Sequence, residues 1–121
     1  MNKNIEGTMR IHFAGKERDF KLTFRNLASI EERLQKPVMQ IVNGFTAGNI
    51  GVSNVSVILH EALLGAGGKY TYEAVGDMVL KHGFSNCLSI VSDILLKSMG
   101  LDQENEQKLP LESNENETEQ V

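Results

Sequence analysis

The 121-residue chain has no tryptophan, one cysteine and two prolines. A single cysteine excludes an intramolecular disulfide, and a lone thiol at Cys87 suits a reducing compartment. No apolar run approaches the roughly 18 residues that a membrane-spanning helix needs. The opening Met1-Asn2-Lys3-Asn4-Ile5-Glu6-Gly7 lacks the apolar centre of a secretory signal, so a cytoplasmic location is expected. Without export, the sequons beginning at Asn54 and Asn116 imply no glycan.

Sites for chemistry are equally scarce. Gly65-Ala66-Gly67-Gly68-Lys69-Tyr70-Thr71 has the glycines of a phosphate loop, but Tyr70 stands where a Ser or Thr must reach the magnesium ion. A connection between helices is the expected role. His12, His60 and His82 fall on a strand and two different helices, and no His-x-x-His or Cys-x-x-Cys spacing offers a metal site. Cys87 sits in an apolar stripe, where a free thiol packs as a small hydrophobe. Asp102, Glu104 and Glu106 alternate like calcium ligands, yet Gln107 replaces the required glycine and Ser113 the closing glutamate. No catalytic residue, cofactor or metal is expected, and the chain reads as a non-enzymatic protein.

Charge is unevenly spread. The net charge is −4, but residues 102–121 hold seven acidic side chains against Lys108 alone. Residues 1–101 carry eleven bases and nine acids. A nearly neutral body argues against a dedicated nucleic-acid binder, which needs a concentrated basic face.

What is present is patterning. Met9, Ile11 and Phe13 alternate with polar residues, as do Phe20, Leu22 and Phe24, so each run predicts a strand with one apolar side. Ala14-Gly15-Lys16-Glu17 is the expected connection, giving a hairpin over residues 8–24 with those six apolar residues on one face. A lone hairpin is marginal in water and needs a cover.

Helices supply it. Thr23 or Asn26 can cap the first, which turns Leu27, Ile30 and Leu34 to one side. Pro37 ends it and suits the first turn of a second, with Val38, Ile41, Val42 and Phe45 at helical spacing. Ser53 is the expected N-cap of a third, with Val52 and Val57 placed as a hydrophobic staple. Thr71 caps a fourth, with His82 as a cation in its last turn. A fifth is expected from Ser85 or Asn86 to Gly100. The expected fold class is therefore α+β: one domain over residues 1–101, with the hairpin packed against about five short helices over 25–100. Residues 102–121, rich in Asn, Glu and Gln, are expected to be a disordered acidic tail.

The fifth helix has an unusually wide apolar arc. Cys87, Leu88, Ile90, Val91, Ile94, Leu95, Leu96 and Met99 cover roughly 240° of its circumference, against the ~100° that one core face needs. Asp93 and Lys97 form the one clearly wet stripe and stand at ion-pair spacing. Either the helix is sandwiched centrally, or part of it meets another protein. Ile90, Ile94 and Leu96 are the candidate partner-binding residues.

The order of these elements resembles the gene transfer agent and phage tail assembly chaperone family. Members read Leu-Thr-Leu-x-x-Leu-Ala-x-Leu-Glu where a hairpin runs into a helix, matched here by Leu22, Thr23, Phe24, Leu27, Ala28, Ile30 and Glu31. Phe45-Thr46-Ala47-Gly48-Asn49-Ile50 looks like the family's Phe-x-x-Gly-x-Leu loop. The segment from Val57 to Gly67 looks like its helix ending in a Gly-Ala-Gly turn. The resemblance covers residues 5–100 and leaves the acidic tail out. It implies a chaperone in the cytoplasm of a bacterial host that binds the tape measure protein, and with it the tail tube protein, during tail assembly. Self-association into a homo-oligomer is a further possible partnership. A small structural or adaptor protein of a phage-like particle is the alternative.

Overall fold

The computed structural model describes residues 7–101; the acidic segment 102–121 lies outside the described residues. Two antiparallel strands, β1 (Met9–Phe13) and β2 (Lys16–Phe20), precede five helices. These are α1 (Phe24–Leu34), α2 (Val38–Ala47), α3 (Val52–Gly65), α4 (Tyr72–His82) and α5 (Phe84–Ser98). The α+β plan is as the sequence predicts. Among the described residues no helix is long and apolar enough to cross a membrane.

The hairpin is shorter and tighter than the alternation suggests. Its turn is the pair Ala14-Gly15, at φ +51° and +98°, the conformation that matches the twist of two-residue hairpins. An alanine there carries strain, and its backbone is held on both sides. Ala14 N–H donates to His82 Nδ1, and Ala14 O accepts from Arg18 Nη2. The ring of His82, in the last turn of α4, is thus tied to the hairpin turn. With Met9 opposite Phe20 and Phe13 opposite Lys16, pairing stops at Phe20. Lys21 N–H turns away to Ala62 O of α3, at 2.9 Å.

That exit corrects the expected face. Phe13 and Phe20 are fully buried, edge to face at 5.8 Å, and Leu22 reaches the core from beyond the strand. Phe24 does not, because a helix begins with it. Thr23 Oγ1 accepts from Asn26 N–H while Asn26 Oδ1 accepts from Thr23 N–H, a reciprocal cap that starts α1 and swings Phe24 into solvent.

Other starts also differ. Pro37 takes the N-cap position of α2, just outside the helix, and the Glu31 carboxylate accepts from Val38 N–H. Gly51, not Ser53, caps α3, with Asn54 Oδ1 accepting from Gly51 N–H. Val52 becomes the first helical residue and is exposed rather than stapled. Thr71 caps α4 as expected. Gly83, at φ +100°, leads directly into α5, one residue before the expected start.

The central helix is α3. Eight of its fourteen residues are buried, on every side, and it packs against β2, α1, α4 and α5. Cys87, Ile90, Val91, Ile94 and Leu95 of α5 also point inward. The wide arc of α5 therefore splits into a buried part and a half-buried flank, Leu88, Leu96 and Met99, of which Leu88 and Leu96 lie near α2.

Candidate interaction surface

The glycine segment closes α3 and serves packing. A Cβ on Gly65 would collide with Lys21 O and Asn26 Oδ1, so the absence of a side chain lets α3 press against the start of α1. Among the described residues no group of three metal-ligating side chains converges. Cys87 is fully buried, its Sγ turned to Val79 O, and burial pushes its thiol up to about 11.

One polar cluster escaped sequence reasoning. Glu61, on the inner side of α3, is only 6% exposed. Its Oε1 accepts from Asn26 Nδ2 at 3.0 Å, and its Oε2 from Ser29 Oγ at 2.7 Å and Arg33 Nη1 at 2.8 Å. Burial alone would raise the carboxyl. The three hydrogen bonds and the Arg33 charge outweigh it and hold Glu61 below the ordinary carboxylate range. His60 Nδ1 meets Arg33 Nη1, its Nε2 meets Tyr70 O, and the Arg33 guanidinium stands over the Tyr72 ring. Both oxygens of Glu61 accept from α1, so the cluster braces α1 and the α3–α4 loop against α3. Two features of the sequence mark it: Asn26, Ser29 and Arg33 recur at one-turn intervals, and Glu61 stands among the apolar residues Ile58, Leu59, Ala62 and Leu63 of α3.

The open surface lies between α2 and α5. Phe45, Ile50, Phe84 and Leu88, all half-buried, line a groove of about 470 Å³, completed by Gly48, Ser89, Ser92 and Asp93. A smaller hollow of about 100 Å³ adjoins it across Phe45 and Ser92, lined further by Val42, Thr46, Leu95 and Leu96. Gly48, at φ +77°, ends α2 and turns the chain so that Ile50 completes the groove. Asp93 and Lys97 make no ion pair with each other, leaving the Asp93 carboxylate exposed at the rim.

Of the three candidate partner-binding residues, only Leu96 borders this surface. Ile90 is 7% and Ile94 1% exposed, both packed in the core. They fall on the buried side of α5, which a helical wheel cannot tell from a side facing a partner. The groove instead uses Phe45, Ile50, Phe84 and Leu88, brought together from the ends of α2 and α5.

No curated protein and no solved structure matches the chain at a significant level. The family model described as phage tail tube protein, GTA-gp10, matches residues 6–100, a span that takes in the hairpin and all five helices. With most of its length and its whole described fold inside that match, the chain belongs to this family of phage tail proteins of the gene transfer agent type.

Proposed function

We propose that the protein is a tail assembly chaperone, acting in the host cytoplasm without catalysis and holding an apolar helical segment of the tape measure protein in the α2/α5 groove. The groove is the observation that carries this reading. Four large apolar side chains in a concave strip suit an amphipathic helix laid along them. The groove's eight lining residues are far fewer than the roughly 20–30 a side of a standard stable interface, which fits a helper that must let go.

The test is co-expression with the tape measure protein. The wild-type chain should keep the tape measure protein soluble and co-purify with it, whereas Ser89→Trp, which fills the groove from an exposed position, should do neither while melting as the wild type does. Equal retention by Ser89→Trp would remove the groove from the reading.

A second reading, a structural tail component, is favoured by the family's description as a tail tube protein. The two differ in fate. Mass spectrometry of purified particles should find the structural component at fixed stoichiometry and the chaperone absent.

A further inference from the structure

We propose that, while no client is bound, the α2/α5 groove receives Phe24 of a second copy of this chain, so that copies associate head to tail and a client and a second copy compete for the groove. Phe24 is 87% exposed, a large aromatic surface left in water that burial would favour. Arg25 beside it is exposed and makes no ion pair among the described residues. The groove has the complement of both. Its floor is apolar, and Asp93 on its rim is an exposed carboxylate that is likewise unpaired among the described residues.

The placement of knob and groove excludes an intramolecular version. Phe24 follows the segment that rests on Gly65, the last residue of α3, where Lys21 O and Asn26 Oδ1 abut the glycine. Ile50 of the groove lies just before Val52, where α3 begins. The fourteen residues of α3 hold those two ends about 21 Å apart. Leu64, 38% exposed, adds apolar surface at the Phe24 end. A knob at one end and a hole at the other make a heterologous contact, giving rings where the rotation closes and open chains where it does not.

One aromatic anchor with a rim charge pair is a small contact, so association is expected in the range of about 10 µM to about 1 mM. Sedimentation velocity on the full chain tests it. Wild-type mass should rise with concentration, and less steeply at high salt. Phe24→Asp, which spoils the knob, and Asp93→Arg, which spoils the rim, should each be monomeric alone; both positions are exposed, so folding is spared. Mixed together they should form a dimer that grows no further, because one carries the intact groove and the other the intact knob. Arg25→Glu with Asp93→Arg in one chain should restore association. A wild-type chain that stays monomeric to about 1 mM, a Phe24→Asp chain that associates as the wild type does, or a mixture that fails to pair would each overturn the contact. No client is present in this experiment, so its failure would leave the co-expression test standing.

Discussion

Arg33 Nη1 of α1 lies 2.8 Å from Glu61 Oε2 of α3, with the Glu61 side chain 8% exposed and that of Arg33 29%. A carboxylate so enclosed depends on its donors. Removing one member of a buried pair typically costs about 3–5 kcal/mol, because the other is left uncompensated. Arg33→Ala, which leaves the enclosed carboxylate uncompensated, should therefore lower the unfolding free energy by about 3 kcal/mol, and Glu61→Ala by less, since the Arg33 guanidinium left behind can turn to water. Urea denaturation of both variants and of the double variant measures the coupling. Additive effects would mean that the pair contributes nothing specific.

The same carboxylate sets a pH dependence. Its folded-state pKa lies below its ordinary value of 4.5, so the folded protein binds that proton less readily than the unfolded chain. The stabilisation is fully present above the unfolded value and is lost as pH falls through the folded one. Thermal melts from neutral pH downward should show stability falling below about pH 4.5. Glu61→Gln, which has no charge to lose, should be less stable at neutral pH and show a shallower acid decline.

Two glycines should respond to alanine in opposite directions. At Gly65 a methyl group meets the backbone oxygen of Lys21, which cannot move without parting α1 from α3; overpacking of this kind costs about 1–3 kcal/mol. At Gly76, inside α4, nothing lies within 4 Å of the added carbon. Gly76→Ala should stabilise by about 0.5–1 kcal/mol through helix propensity. Chemical denaturation of the two variants checks the signs, and a tolerated Gly65→Ala would mean the helices have room to separate.

These contacts mark how far the sequence could be read. Helix positions are legible because Ile30, Ile41 and Val79 each stand in a run of apolar residues at helical spacing, and Thr71 is an unambiguous cap. The hairpin was legible through Met9 to Phe13. Where β2 ends was not, because Phe20, Leu22 and Phe24 keep a period of two past the last paired residue, and the Thr23–Asn26 cap overrides it. Periodicity also cannot rank helices by centrality. The broad apolar arc of α5 suggested a sandwiched element, whereas α3, with Ser56 and Glu61 interrupting its apolar run, is the one enclosed on all sides. Ile90 and Ile94 read equally as core or as partner surface for the same reason: hydrophobicity marks what avoids water, not which neighbour provides the shelter. The groove itself needed the tertiary fold, since Phe45 and Phe84 are far apart in sequence.

Ser56 carries a cost that a simple substitution removes. It is 2% exposed, and its Oγ has no hydrogen-bond partner among the described residues. A buried hydroxyl without a partner costs about 1–3 kcal/mol, so Ser56→Ala should raise the unfolding free energy by about 1 kcal/mol. The midpoint of a urea titration would move upward with an unchanged slope. A lower midpoint would mean that the hydroxyl finds a partner in solution.

Cys87 tests the integrity of the core from within. Burial drives its pKa up to about 11, because the thiolate would face the apolar contacts between α4 and α5 without solvent. The thiolate is the reacting form, so the native protein should resist a thiol-reactive dye at neutral pH, and reaction should follow opening of the fold. Labelling is expected to be slow in buffer, complete in denaturant and accelerated in Glu61→Ala in proportion to its lost stability. Fast labelling of the native wild type would show that α5 parts from α4 far more readily than global unfolding allows. Labelling that ignored the Glu61→Ala destabilisation would show instead that the α4/α5 seam opens independently of the brace between α1 and α3.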